Sequence, residues 1–188
     1  MSQAEAKKRL LDAAVEYVTE HGLGDLGFRR LARELGTSHR MLGYHFGSKE
    51  GLLVEIVRTV EERQRQVLAA LVVDETADPR EQMRWMAARL SDPALWPSER
   101  LFFELYGQAL QGRPHAVRLL PEVVDAWLGP LTELSLRLGV PADDAPAHAR
   151  LLLAVSRGLL LDLLATGERD AIARASDLFF DRYERPRD

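Results

Sequence analysis

Cysteine is absent from the 188 residues, which excludes disulfides and thiolate chemistry. Long apolar runs are also missing. The leucine-rich stretch from Leu151 to Leu164 is broken by Arg157 and Asp162, and nothing approaches the roughly 20 apolar residues that span a bilayer. No charge of one sign dominates: the net charge is −4, which argues against a protein that coats DNA through a broad basic surface. The basic triplet Lys7, Lys8 and Arg9 lies between Glu5 and Asp12 with no uninterrupted apolar segment after it, so a secretory signal is not expected. Metal-ligand clusters, a Ser-His-Asp arrangement, a phosphate loop and a dinucleotide fingerprint are lacking, and His21, His39, His45, His115 and His148 have no spacing with carboxylates that suggests a shared site. Neither a metal nor a cofactor is expected. Strand-period segments and internal repeats are lacking as well.

What remains is helix. Ser2 and Glu5 have capping-box spacing, and Leu10, Ala14, Tyr17 and Val18 continue with helical period to Gly22. The most informative stretch is Phe28 to Lys49. Phe28, Leu31, Ala32 and Leu35 form one apolar stripe, and Gly36 supplies a left-handed stop. Ser38 can cap a second helix in which Leu42 and Phe46 face inward. His39, Arg40, Gly43 and Tyr44 then face solvent. A short helix bearing donors and one aromatic, held on an apolar platform, suits entry into a DNA major groove.

The order Leu31-Ala32, Gly36, Ser38, Leu42, His45-Phe46, Ser48-Lys49 resembles the DNA-binding end of the tetracycline-repressor family of transcriptional regulators. The sequence departs from that pattern at Gly43, where the family carries Tyr and Tyr44 follows one residue later, and at Gly27, where a Thr or Ser commonly caps the first of the two helices. The resemblance covers the first third of the chain closely and the rest in layout. It implies DNA contacts from Thr37, Ser38, His39, Arg40, Gly43, Tyr44, His45 and Lys49. Arg40 in the first exposed turn can grip guanine with two hydrogen bonds. Lys49, with free amides at the start of the next helix, offers a phosphate seat. Lys7, Lys8, Arg9, Arg29, Arg30 and Arg33 are further candidates for phosphate, with ordinary surface charge as the plainer reading of each.

A long helix, about 49–72, has a polar second half and reads as a strut, with a joint at Val73 to Pro79. Helices follow over about 79–90, 98–111 and 115–138, the last expected to break at Pro121 and at Gly129-Pro130. Trp85, Met86, Phe102, Phe103, Tyr106 and Trp127 concentrate in the middle third, and the family resemblance makes them candidates for a small-molecule pocket, against plain core. From about Ala145 a helix is apolar nearly all round, so it must be covered on more than one side. Gly158 would admit a close partner helix, Gly167 ends the helix, and a last amphipathic helix runs to about Tyr183. A second subunit meeting Leu152, Val155, Leu159, Leu163, Leu178 and Phe179 is the economical cover, and the resemblance places a four-helix dimer interface there.

Residues 1–60 carry nine Lys/Arg against eight Asp/Glu, and the remainder sixteen against twenty-one; a near-neutral head on an acidic body fits localised phosphate contacts. The expectation is an all-α cytoplasmic protein. Residues 1–48 would form a three-helix helix-turn-helix domain, 49–72 the connection, and 73–188 a ligand-binding and dimerisation domain. As a homodimer it would bind a palindromic operator in double-stranded DNA and respond to a small-molecule effector, by default as a repressor, with no membrane partner. The rival is a helical small-molecule-binding protein or enzyme without DNA binding.

Overall fold

The computed structural model describes residues 2–21, 27–73 and 77–183; Gly22, residues 23–26 and the middle of the expected joint lie outside them. Among the described residues all regular structure is helical: α1 (Gln3–His21), α2 (Phe28–Glu34), α3 (His39–Phe46), α4 (Lys49–Val73), α5 (Pro79–Leu90), α6 (Trp96–Leu110), α7 (Leu120–Arg137), α8 (Ala145–Thr166) and α9 (Arg169–Tyr183), with single 3-10 turns at Pro93–Leu95 and Val117–Leu119. The chain forms two compact units, residues 1–63 with 94–120, and residues 64–93 with 121–188.

Local chemistry sets the helix ends. The Ser2 and Glu5 box closes at 2.7 and 3.2 Å. At the end of α2, Gly36 has φ of 62°. Its N–H donates to the Arg33 carbonyl and that of Thr37 to the Ala32 carbonyl, the paired closure that a left-handed residue permits. Asp78 caps α5 by accepting from the Arg80 amide, with Pro79 in the first turn, where its missing N–H costs nothing. Gly167 ends α8 with φ of 74°.

The first unit is built on α1, which buries Leu10, Ala14, Val15 and Val18, and packs on α6. From α6 come Leu101, Phe102, Leu105 and Ala109, and from the start of α4 come Leu52, Ile56 and Val57. Polar ties reinforce this packing. Thr19 and Ser98 hydroxyls meet at 3.3 Å, Arg63 donates to Asp12 at 2.8 Å, and Arg58 donates to the Arg118 carbonyl. Residues 94–120 thus share a compact unit with the N-terminal helices, because α6 turns its apolar stripe to α1.

In the second unit Leu68, Met83, Met86, Trp127, Leu131, Leu134, Leu152, Leu153 and Phe180 form the core. The expected break at Gly129-Pro130 does not occur: α7 runs from Leu120 through Pro130 to Arg137, and Pro121 sits in its first turn. An internal proline costs about 3 kcal/mol. Burial of Trp127, Leu131 and Leu134 on either side of it holds the helix against that cost, which local propensity does not register. No helix among the described residues is long and apolar enough to cross a membrane.

Candidate nucleic-acid interface

Two residues anchor α3. Leu42 is fully buried and Phe46 nearly so, and the Ser38 hydroxyl accepts from the Met41 amide at 3.1 Å. With a helical period of 3.6, fixing Leu42 and Phe46 inward turns Thr37, Arg40, Met41 and Tyr44 outward. Thr37 is half-buried, Arg40 exposed and Tyr44 64% exposed. His39 is exposed but lies at the flank of this face, its ring edge-on to Phe28 at 5.1 Å. Gly43, four residues on, shares that flank and is half-buried, with open space where a Cβ would stand. Sequence reasoning missed Met41, which is 42% exposed; its three-residue offset from Tyr44 was the available sign.

His45 is half-buried between the rings of Tyr44 and Phe46. Its Nε2 is buried with no hydrogen-bond partner among the described residues. A buried polar nitrogen left so costs free energy, so this ring would gain from an acceptor or donor brought by a ligand.

The phosphate seat at the start of α4 differs from the expectation. The Ser48 hydroxyl already accepts from the Gly51 amide at 3.1 Å. The Glu50 carboxyl is held below its usual range, first by its own backbone N–H and then by the Ser48 hydroxyl, with the positive charges of His115 and Lys49 adding to this. Two of the first-turn amides are therefore engaged, and the Lys49 amide and side chain remain for an anion. Gly51 is required here: a Cβ would collide with the carbonyl oxygen of Phe46, so α4 starts directly against the end of α3.

The N-terminal basic triplet is divided. Lys7 pairs with Glu55 at 3.6 Å and lies over the Phe46 ring. Lys8 pairs with Asp12 at 2.9 Å, and this hydrogen bond first, with Arg63 adding to it, keeps the Asp12 carboxyl below the usual range. Arg9, Arg29, Arg30, Arg33 and Arg40 are exposed without an ion-pair partner among the described residues.

The six residues expected around a ligand divide between the two units. In the first, Phe102 is buried and packs on Phe103 at 5.1 Å and Tyr106 at 5.6 Å. In the second, Met86 and Trp127 are core, whereas Trp85 is 48% exposed beneath the Arg89 guanidinium. A groove of about 480 Å³ opens between α5 and α9, with Arg84, Ser91, Arg169 and Asp177 on its walls. A tighter cleft is lined by Val155, Leu159, Ile172 and Phe179. Neither involves any of the six.

On α8, Leu152 and Leu163 are buried within their own unit. Val155 and Leu159 are half-buried, as is Phe179 of α9, and Leu178 is 52% exposed. The exposed residues of α8 include Leu151, Ala154, Gly158, Leu161 and Ala165.

The model of the tetR family of bacterial regulatory proteins matches residues 10–56, the stretch that holds α2, α3 and the α4 junction. Residues 10–56 carry the tetR-family domain. Over 179 residues the chain is 28% identical to the HTH-type transcriptional regulator BetI of Pseudomonas aeruginosa, covering 93% of this chain and 89% of that one. It is 27% identical to the BetI of Agrobacterium fabrum, of whose length it spans 64%. Among solved structures it superposes on the tetR-family protein SCO1917 of Streptomyces coelicolor with a TM-score of 0.65, at 26% identity and 96% and 98% coverage. It also superposes on the multidrug binding protein EbrR complexed with imidazole, with a TM-score of 0.61, 26% identity, and 98% and 92% coverage. Residues 10–56 thus match the regulatory-protein domain of that family, and the relatives matched over most of the chain are transcriptional regulators.

Proposed function

We propose that this tetR-family regulator acts in the cytoplasm as a homodimeric repressor, binding a palindromic operator and leaving it when a small molecule binds. In this reading residues 1–48 contact DNA, 49–72 connect, and 73–188 bind the effector and the second subunit. Arg40 and Tyr44 meet base edges, assisted by Thr37, Ser38, His39 and Gly43, while Lys49 and His45 meet phosphate. The observation that carries the proposal is the outward face of α3. Its two apolar anchors are buried, yet Arg40 stands in solvent with no ion-pair partner among the described residues, and Tyr44, edge-on to the His45 ring, is 64% exposed.

Dimerisation is supported by the open stripe on α8. Leu151, Ala154, Gly158, Leu161 and Ala165 recur at alternating spacings of three and four, the seam that a packed helix pair uses, and all five are exposed in the protomer. Small residues at three of the five places, Ala154, Gly158 and Ala165, permit close approach. An exposed apolar stripe of this length marks an interaction surface, and a two-fold pairing is the commonest solution. The effector would shift the protein only through unequal affinity for its DNA-competent and DNA-incompetent conformers.

Selection of duplexes from a random pool by the full chain tests this reading. An inverted repeat should be enriched, with half-site centres about 34–36 Å or a multiple apart, and the protein should sediment as a dimer. Enrichment of a single unrepeated site by a monomer would overturn it.

A further inference from the structure

We propose that Met41 is a specificity residue that reads a thymine through its C5-methyl group. This rests on the DNA-binding reading of α3 and adds which base edge the helix selects. Met41 is 42% exposed, whereas the other described methionines inside the chain, Met83 and Met86, are each 7% exposed and belong to the core. It stands in the first turn of α3, its amide fixed by the Ser38 hydroxyl, and the first turn of a recognition helix is the part that reaches base edges. Three residues on, Tyr44 shares its face, and Arg40 adjoins it.

Leu42 and Phe46 anchor α3, and Met41, 42% exposed, adds a thioether to a face otherwise made of polar groups. In the major groove a thioether would displace water from donors and acceptors of adenine, guanine or cytosine without replacing their hydrogen bonds. Thymine alone presents an apolar group there. Methionine's unbranched, polarizable chain adapts to such a contact.

The experiment uses the full chain and the duplex it enriches from a random pool, resynthesised with deoxyuridine replacing thymidine one position at a time. This change removes one methyl and no hydrogen bond. For the wild type, one replacement in each half-site should weaken binding about fourfold, the effect of one buried methyl-sized group. Met41→Ala and Met41→Gln should bind the deoxyuridine and thymidine duplexes equally. Both substitutions lie at an exposed position, and equal thermal midpoints would show that folding is retained. If every replacement weakens wild type and both variants alike, or none weakens the wild type, the assignment of Met41 is overturned while the DNA-binding reading stands. Failure to enrich any duplex would overturn both.

Discussion

Helices α3 and α8 both leave large side chains in solvent, and they do so in opposite ways. In α3, eight residues bury two apolar anchors and turn donors, an aromatic and a thioether outward. In α8, twenty-two residues bury one apolar stripe and leave a second, made of leucine and small residues, uncovered. A polar open face on a rigid short helix fits the edges of a duplex. An apolar open face with small residues fits another helix. The two open faces thus differ in chemistry and suit different partners, and the difference can be tested by changing each alone.

The largest effect should come from α8. Leu161→Glu places a charge in the open stripe without touching the protomer core, since Leu161 is 51% exposed. It should convert dimer to monomer in sedimentation and lower affinity for a two-half-site duplex by about 100-fold or more, because the second head no longer binds as part of one assembly. The folded protomer should keep its helical circular dichroism. A dimer that survives this change would remove α8 from the interface.

A second contrast uses one substitution at two glycines. Alanine at Gly51 would drive a Cβ into the Phe46 carbonyl, a backbone atom that cannot step aside. The α3–α4 junction should lose about 1–3 kcal/mol, the usual cost of overpacking, read as a lower urea midpoint. Alanine at Gly43 meets nothing and should stabilise α3 by roughly 0.5–1 kcal/mol through helix propensity. Equal effects at both positions would contradict the close seating of α4 on α3.

The smallest effect is one of pH and belongs to the second unit. Ser135 is fully buried and donates to the Leu131 carbonyl at 2.7 Å. Its oxygen is therefore left to accept from His148 Nδ1 at 3.0 Å. Burial lowers the His148 pKa from its ordinary 6.5, so the unfolded chain takes up the proton first as pH falls. Stability should be unaffected by this group above about pH 6.5 and decline below it. Urea melts at pH 7.5 and 5.5 would show a larger loss for the wild type than for His148→Asn.

Much of α3 was legible because its determinants are local. Ser38, Gly36 and the four-residue spacing of Leu42 and Phe46 act within one turn of themselves, and the structure has them as the sequence implies. The cap at Ser2 and the stop at Gly167 were readable for the same reason. What sequence could not supply depends on distant packing. A helix apolar nearly all round hides its own register, so Leu152 and Leu163 were read as outward although the protomer's own core claims them. Pro130 reads as a break because propensity does not know that Trp127 and Leu131 will be buried. The pairing of Lys7 with Glu55 and the grouping of residues 94–120 with the N-terminal helices each join segments far apart in the chain. The capped amides at Ser48 were nearer to hand, and the serine before Lys49 was the sign.

In the proposed complex α3 reads bases while the start of α4 grips the backbone. The direct measurement is the affinity of Arg40→Ala and Lys49→Ala for the selected duplex and for a scrambled one across a series of salt concentrations. Arg40→Ala should lose about 1–3 kcal/mol of discrimination between the two duplexes. Lys49→Ala should weaken both alike and, by losing one phosphate contact in each subunit, reduce the salt slope by about 0.9 per contact. If both variants kept the wild-type discrimination and the wild-type slope, the interface would lie elsewhere on the molecule.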